Sequence, residues 1–355
     1  MFSVKEKEIL FDNYITVSDG IISYIGKNKP DGEIEDFSNC FILPGFIDIH
    51  CHDGKENLGY ENPEEMAKEH LSHGTTSLLI TLYRNLSHET ILNALSKIKA
   101  LMENKTNIIG AHLEGPYLNP GMGVIFKDNE DSIPNENKYN QYIKSGIIKN
   151  WTCSPEIPKI CDFIEDVRKK SPNTVISIGH SVASFPQICM AKESGASLVT
   201  HVFDATGYTH YSEPFYRGTR DLDFDLSVMY LDGFYYEVIC DDKWIHVRRE
   251  MLGLLIKTVG KDRIICITDC MGGKIPNDNS QINIVDGDLA GSRLTMDCVA
   301  KNLFNAGFSF IDIAKFTSTN ASKCMNLTDR GVLQEGKRGD LVILDKNSNL
   351  RKIIF

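Results

Sequence analysis

The side chains that could carry out chemistry recur at one kind of position in this sequence, the ends of short apolar runs. Imidazole and carboxylate groups are the ligands that zinc, iron(II) and manganese accept, and a catalytic site keeps a position open for water. Histidines at positions i and i+2 of a strand point to the same side and can reach one centre. We therefore predict one or two divalent cations per chain, with zinc as the first candidate and iron or manganese as alternatives. The predicted ligands are His50, His52, Glu114, His180, His201 and Asp269.

Asp269 has a second predicted role, as the catalytic residue. A divalent cation lowers the pKa of a bound water towards ~7, which provides a hydroxide nucleophile, and it can polarise a carbonyl group. A carboxylate beside that water can take its proton and pass it to a departing nitrogen, first as general base and then as general acid. The alternative for Asp269 is a structural cap of the turn that follows it, Cys270-Met-Gly-Gly.

A parallel barrel is the architecture that would bring these residues together. From residue 44 onward, short β-branched runs alternate with helical patterns, which indicates repeated βα units. Eight strands are predicted, at 45–50, 75–82, 108–113, 151–154, 174–178, 197–202, 236–240 and 264–268. Helices are predicted between them, among others at 63–73, 87–103, 156–170 and 244–259. The pattern is that of an α/β fold with a (β/α)8 TIM-type barrel, whose strands converge with their carboxyl ends on one catalytic face.

The two ends of the chain have a different, β-rich character. Short strands are predicted at 7–10, 14–17 and 21–25, and another follows Asp340 near the other end. We predict that residues 1–43 and 331–355 pair into one small discontinuous β-sandwich domain. Residues 44–330 would then form the barrel.

Composition and charge exclude several classes of partner. With 355 residues, 42% of them hydrophobic, the chain can bury a large core. Its formal net charge of −10 provides no basic surface for a nucleic acid or an anionic membrane. The start of the chain has no apolar targeting segment, and the ten cysteines are scattered without a Cys-x-x-Cys pair. We predict a cytoplasmic protein with reduced thiols that acts on a small molecule.

Several motifs spread over almost the whole chain carry a family resemblance. They are Pro44-Gly-Phe-Ile-Asp-Ile-His-Cys-His, His112-Leu-Glu-Gly-Pro-Tyr, Gly179-His-Ser, His201 with Asp204-Ala205, Ile267-Thr-Asp, Leu289-Ala-Gly-Ser and Gly336-Lys-Arg-Gly-Asp-Leu-Val. With these motifs the chain resembles the N-acetylglucosamine-6-phosphate deacetylases of the amidohydrolase superfamily. The superfamily often bridges its metals with a carboxylated lysine after the fourth strand. No lysine ends that strand here, and the resemblance implies that Glu114 takes the bridging part.

The resemblance implies roles for individual residues. Glu114, His180 and His201 would hold the main metal, and Asp269 would be the catalytic acid and base. Because this chain keeps His50 and His52, a second metal held by these two histidines with Glu114 and Asp269 is implied as an option. The resemblance also implies a homodimer and a set of contacts to the sugar or its phosphate. The residues of that set are Asp204, Ala205, His246, Leu289, Ala290 and Gly291.

The departures from the family pattern fall at substrate positions. Asp204 stands where the family usually has an asparagine, and Ser212 stands where it has a phosphate-binding arginine, although Arg217 and Arg220 follow closely. The loop before His246 is longer than in the family, and the loop from Gly121 to Ile125 lacks the usual polar side chain that polarises the acyl carbonyl. A second metal at His50 and His52 would supply that polarisation.

Three functions are consistent with these residues. The first is a metal-dependent deacetylase of an N-acetyl amino sugar 6-phosphate. The second is a related deacylase of a non-phosphorylated or cationic N-acyl compound, for which Asp204 and Ser212 would be suited. The third is a catalytically inactive relative, which the complete ligand set disfavours.

Overall fold

The structure is a computed structural model that describes residues 2–54, 56–123, 132–207, 222–272, 280–285 and 287–355. Its strands are β1 (Phe2–Val4), β2 (Ile9–Phe11), β3 (Tyr14–Ser18), β4 (Ile21–Gly26), β5 (Cys40–Pro44), β6 (Phe46–Cys51), β7 (Thr75–Leu82), β8 (Ile108–Glu114), β9 (Ile148–Cys153), β10 (Val175–Ile178), β11 (Leu198–Val199), β12 (Tyr235–Ile239), β13 (Ile264–Ile267), β14 (Ile282–Val285), β15 (Asp288–Ser292), β16 (Leu341–Asp345) and β17 (Leu350–Ile354). Its α-helices are α1 (Pro63–Ser72), α2 (His88–Met102), α3 (Glu136–Ile143), α4 (Ile160–Lys170), α5 (Phe185–Ser194), α6 (Phe224–Tyr230), α7 (Arg249–Val259), α8 (Met296–Asn305), α9 (Phe310–Ala314) and α10 (Asn320–Cys324).

Eight parallel strands form a nearly closed barrel, which confirms the predicted fold class. They lie in the order β13-β12-β11-β10-β9-β8-β7-β6. The first and last strands, β6 and β13, are joined by backbone hydrogen bonds near their carboxyl ends. Asp269 N donates to His50 O at 2.9 Å, and His52 N donates to Cys270 O at 3.0 Å. This junction, which we call the barrel seam, lies at the carboxyl ends of the strands.

The strand faces that line the barrel axis carry many polar side chains, which alternate with apolar ones on the opposite faces. His112 on β8 bonds Thr81 and Thr152 at 3.2 and 2.8 Å, and Ser177 on β10 donates to Asn150 at 2.6 Å. The opposite faces belong to the hydrophobic core through buried residues such as Ile49, Leu113 and Ile176. The period of two in each strand therefore places polar side chains inside the barrel and directs the last ones towards its mouth.

The ends of the chain form a second sheet, in the order β17-β16-β5-β1-β2. The hairpin of β3 and β4 packs beside it over a small core that contains Ile22, Ile42 and Ile343. Both termini thus contribute strands to one β-rich unit. Where this unit ends along the chain remains a prediction, because β5 leads directly through Gly45 into β6.

Several predicted elements are longer than the observed ones. The helix predicted at 156–170 begins at Ile160, since Lys159 has a φ of 65° that no helix continues. The helix predicted at 244–259 begins at Arg249, because Asp241 accepts bonds from Ile245 N and His246 N and holds that segment in a turn. Strand β11 has two residues where six were predicted, and His201 follows with a φ of 22°.

Candidate metal centre

The six predicted ligands converge at the mouth of the barrel, and their ligating atoms form two overlapping groups. In the first group, Glu114 Oε1 lies 2.9 Å from His180 Nε2 and 3.2 Å from His201 Nε2, and the two imidazole nitrogens are 3.1 Å apart. Ligands ~2.0–2.1 Å from a tetrahedral ion are separated by about 3.3 Å. The spacing of this group therefore matches the shell of one cation.

The second group contains the histidines of the first barrel strand. His50 Nε2 lies 3.3 Å from Asp269 Oδ1, and His52 Nε2 lies 3.5 Å from the same oxygen. Glu114 belongs to this group too, since its Oε2 is 3.1 Å from His52 Nε2 while its Oε1 faces the first group. One carboxylate thus reaches both groups, the position that a bridging ligand would occupy.

The other ring nitrogens orient three of these four histidines. His50 Nδ1 lies 3.0 Å from Glu237 Oε2, His201 Nδ1 lies 3.2 Å from the carbonyl oxygen of Asp204, and His180 Nδ1 lies 3.4 Å from that of Met122. An acceptor on Nδ1 fixes the tautomer that leaves Nε2 as a metal ligand. Within the described residues, the buried Nε2 of His50 has no hydrogen-bond partner. The donor set therefore fits one or two divalent cations.

The charges of the site depend on one another. Burial opposes ionisation of His50, but Asp269, Glu114 and Glu237 raise its pKa well above the usual range. Burial alone would raise the pKa of Glu114, yet His50 and His180 hold it well below its ordinary value. The pKa of His201 rises to about 9 despite burial, chiefly through its contact with Glu114. Protons on the imidazoles balance the carboxylates in this state, and a cation would displace them.

Three of the predicted ligands have a left-handed backbone. His180, His201 and Asp269 have φ values of 47°, 22° and 47°. Such angles cost a residue with a side chain roughly 1–3 kcal/mol each and are concentrated at functional sites. Surrounding bonds hold them in place, for example from Ser154 Oγ to the carbonyl oxygen of His180 at 2.8 Å. The chain turns sharply after each strand and thereby directs these side chains into the mouth.

An open cleft of about 530 Å³, mouth included, lies over the site. Five of the predicted substrate-binding residues line it, together with five of the six metal-ligand candidates and residues that were not predicted. The lining residues are His52, Tyr83, Arg84, Glu114, Gly123, His180, His201, Asp204, Ala205, Asp269, Met271, Leu289, Ala290 and Gly291.

His246 is located differently from the other predicted substrate residues. It lies outside the lining of this cleft, and its ring nitrogens lie 3.0 Å from Asp241 Oδ2 and 3.0 Å from the carbonyl oxygen of Gly291. These bonds give it a supporting contact with the loop from Leu289 to Gly291. Direct contact of His246 with a substrate remains a prediction.

Two glycines let loops approach the site closely. A Cβ on Gly123 would lie 2.7 Å from His180 Nδ1, and one on Gly291 would lie 2.6 Å from the carbonyl oxygen of Asp269. Both glycines also have positive φ values, 73° and 59°. No other residue could replace them without displacing the loops that cover the site.

Comparisons with known proteins agree with this geometry. The model of the amidohydrolase family matches residues 41–355. The chain is 30% identical to N-acetylglucosamine-6-phosphate deacetylase of Bacillus subtilis (strain 168), over 97% of this chain and 91% of that protein. It is 24% identical to N-acetylgalactosamine-6-phosphate deacetylase of Escherichia coli O157:H7, over 98% and 94%. The crystal structure of N-acetylglucosamine-6-phosphate deacetylase from Thermotoga maritima superimposes with a TM-score of 0.81 at 26% identity, over 99% and 96%.

The chain belongs to the amidohydrolase family. It is accordingly a hydrolase that acts on amide bonds, and the clustered histidines and carboxylates fit the metal dependence that is general in this family. Among the described residues, no helix is long and apolar enough to span a membrane.

This amidohydrolase site contains residues that sequence reasoning missed. Glu237, fully buried on β12, faces His50, and Tyr83 stacks on His52 with ring centroids 4.1 Å apart. Asp53 accepts bonds from Tyr83 Oη, Gly59 N and Gly272 N and so joins three loops around the site. Arg84 lines the cleft and donates to Met122 O at 2.9 Å. Glu237 alone left a trace in the sequence, as the single carboxylate within the otherwise apolar run of β12.

Some predictions concern residues outside the described part of the chain. Ser212, Arg217 and Arg220, on which the phosphate question partly depends, belong to this group, as does Ile125. They remain statements about the sequence.

Proposed function

We propose that this enzyme removes the acetyl group from an N-acetyl amino sugar 6-phosphate. The observation that carries the proposal is the convergence of His50, His52, Glu114, His180, His201 and Asp269 on one cleft, with neighbouring ligand atoms 2.9–3.5 Å apart. The relatives named above support it, and they differ in their sugar, glucosamine in one and galactosamine in the other. The similarity to these relatives therefore supports a substrate with an acetamido group and a phosphate group, but it does not distinguish the glucosamine from the galactosamine epimer.

The residues that would hold the metals follow from the two groups. Glu114, His180 and His201 would bind the first cation, and His50, His52, Asp269 and the second oxygen of Glu114 would bind another. When bound, a divalent cation supplies an activated water and polarises the acyl carbonyl. Zinc is our first candidate, and iron and manganese suit the same ligands.

Asp269 would be the proton carrier. Its carboxylate is buried except for a 6% exposed fraction, and it lines the cleft at the end of the last barrel strand. In this position it takes a proton from the attacking water and delivers it to the amine nitrogen as the C–N bond breaks, which yields acetate and the free amino sugar. The carboxylate of Asp269 lies next to His50 and His52 and also lines the open cleft. This position supports the role of proton carrier over that of a structural cap of the following turn.

The loops at the mouth would position the sugar. Leu289, Ala290 and Gly291 form one wall of the cleft, which His246 supports from behind through Gly291 O. The side chain of Asp204 and the backbone of Ala205 lie on the sixth-strand loop, where hydroxyl groups of a sugar are natural partners. The carbonyl oxygen of Asp204 lies 3.2 Å from His201 Nδ1. This contact fixes the position of the loop relative to the metal ligands.

The charge of the cleft decides between the two substrate classes. Its described lining contains three carboxylates, Glu114, Asp204 and Asp269, against one guanidinium, Arg84. Two divalent cations would turn this formal balance from −2 to about +2, which favours an anionic substrate. With one cation the cleft is neutral, and Asp204 would then favour a non-phosphorylated or cationic N-acyl compound, our second candidate.

The test is a substrate comparison on metal-loaded protein. Release of acetate is measured from N-acetylglucosamine 6-phosphate, N-acetylgalactosamine 6-phosphate and the two sugars without phosphate. The proposal expects the higher kcat/KM for the phosphorylated sugars. A preference for the unphosphorylated sugars would favour the second candidate, and no acetate from any of them would contradict the acetyl amino sugar itself.

Two further features are part of the same proposal. We infer a homodimer and a cytoplasmic location, both in keeping with the sequence resemblance. Both remain predictions, which light scattering and cell fractionation can test.

A further inference from the structure

A second group of metal-binding side chains lies behind the catalytic cleft. Asp48, Cys51 and His70 each place one ligand atom within 4.8 Å of the other two, and all three are buried, with exposed fractions of 0%, 0% and 1%. Cys51 Sγ is 3.3 Å from His70 Nε2. The thiol of Cys270 contacts both Cys51 and His70. We call Asp48, Cys51, His70 and Cys270 the seam site.

The seam site joins three elements at the place where the barrel closes. Cys51 and Asp48 belong to β6, His70 comes from α1, and Cys270 follows β13. The pairing of β6 with β7 shifts register between Asp48 and Cys51, which lets these two side chains reach the same imidazole. The backbone bonds from His52 N and Asp53 N to Cys270 O hold the remaining thiol beside them.

The chemistry of these donors differs from that of the catalytic groups. Two thiols, one imidazole and one carboxylate form the S, S, N, O set that tetrahedral structural zinc accepts, whereas the cleft offers only nitrogen and oxygen. Because the side chains of the seam site are buried, a substrate could not reach a metal ion that they hold. His50 and His52 point to Asp269 and Glu114, while Cys51, between them, points to His70 on α1, so the two centres would lie back to back.

Hydrogen bonding explains only part of this arrangement. Asp48 accepts a bond from Thr268 Oγ1 at 2.6 Å, and His70 Nε2 lies 2.9 Å from the carbonyl oxygen of Asp53. Thiols are weak donors and acceptors, and such bonds do not explain why two of them meet at one buried imidazole. A cation would use the two thiols, Asp48 and the other ring nitrogen of His70, Nδ1, which lies 4.0 Å from Cys51 Sγ, while Nε2 keeps its bond to Asp53. It would also link the first barrel strand to the last.

From this geometry we propose that the seam site binds one structural zinc ion, distinct from the catalytic centre, which fastens β6 to the end of β13. Such an ion would hold His50, His52 and Asp269 in place, since Cys51 and Cys270 are their direct neighbours in the chain. The site is defined without reference to the reaction catalysed, so it is tested independently of the proposed function.

The probe is cobalt(II), added in steps to the metal-free full-length protein under reducing, oxygen-free conditions. Thiolate ligands give cobalt an intense near-ultraviolet charge-transfer band, and histidine and carboxylate ligands do not. The proposal expects this band to grow in the wild-type protein to the intensity of one thiolate-bound cobalt per chain, while cobalt at the catalytic groups adds no intensity to it. Absence of the band in folded wild-type protein would overturn it, as would a Cys51–Cys270 disulfide in protein purified under reducing conditions.

Four variants locate the band. Cys51→Ser and Cys270→Ser should each remove at least about half of its intensity, because each deletes one of two thiolates. Cys266→Ser is the matched control, since Cys266 is also fully buried but contacts Cys240, 3.7 Å away, on the neighbouring strand. His201→Asn damages the catalytic group alone and should leave the band intact. Equal loss of the band in Cys266→Ser and Cys51→Ser would contradict the assignment, and the wild-type titration decides the case if a variant does not fold.

Discussion

Replacement of Glu237 should weaken metal binding at His50 and His52 more than metal binding at His180 and His201. Glu237 Oε2 lies 3.0 Å from His50 Nδ1, both side chains are fully buried, and water does not screen their interaction. Loss of an outer carboxylate partner of a metal-bound histidine costs roughly 10- to 100-fold in affinity. Glutamine keeps an acceptor but loses the charge, so we expect about 10-fold for Glu237→Gln and about 100-fold for Glu237→Ala, near the two ends of that range.

The assay is a zinc titration of metal-free protein in competition with a chromophoric chelator, which reports a dissociation constant for each position. The weaker-bound catalytic zinc, which we assign to His50 and His52, should shift by the full factor, and the position formed by His180 and His201 should shift less, because Glu237 reaches it only through the 3.4 Å contact of its Oε2 with His201 N. Glu156→Gln is the matched control, because the carboxylate of Glu156 lies at the same end of the barrel but bonds Ser181, Val182 and Asn119. Unchanged constants in Glu237→Ala, or equal weakening of both positions, would refute the role of Glu237.

Three further predictions concern single residues. Asp269→Asn should lower kcat by at least about 100-fold, the size of a general acid–base contribution, with folding unchanged by circular dichroism; turnover within tenfold of wild type would contradict its role. Asp204→Asn removes a negative charge from the cleft and should lower KM for a phosphorylated sugar severalfold while leaving KM for the neutral sugar unchanged, whereas equal changes for both would argue against charge as the cause. Asp345, whose pKa is lowered to about 2 mainly by bonds from Asn349 that outweigh burial, stabilises the fold above pH ~4, and this contribution is lost as the pH falls towards 2. Asp345→Asn should therefore cost about 1–2 kcal/mol of unfolding free energy at pH 7 and much less at pH 2, as urea titrations can measure; an equal cost at both pH values would refute this reasoning.

The barrel could be predicted because its signal is repeated and local. Each strand is a short β-branched run, and the ligand candidates close these runs, so that His50, Glu114 and Asp269 could be assigned to one face before any coordinates. The strands β7 and β8 confirm the predicted positions to within one residue. The boundaries failed where a side chain competes with helix formation, as Asp241 does by capping the turn before α7.

The supporting residues could not be predicted, because their roles depend on contacts between distant strands. Nothing in the run around Glu237 indicates that its partner is His50, 187 positions away in the chain. The left-handed turns at His180 and His201 are equally invisible, since these residue types do not require a positive φ. His246 was assigned to the substrate from the motif alone, whereas its ring is directed to Asp241 and Gly291.

The seam site also depends on contacts between distant parts of the chain. The ten cysteines are scattered through the sequence, and no Cys-x-x-Cys pair singles out Cys270. Only the closure of the barrel brings it to Cys51 and His70, which come from the first strand and its helix.

The most direct test of the account is acetate release by one protein sample in three states: as metal-loaded protein, after removal of metal by a chelator, and after zinc is restored. With N-acetylglucosamine 6-phosphate as substrate, the account predicts turnover in the first state, its loss in the second and its recovery in the third. Full activity of the metal-free protein, verified by elemental analysis, would contradict the central claim that the clustered histidines and carboxylates act by holding a catalytic cation.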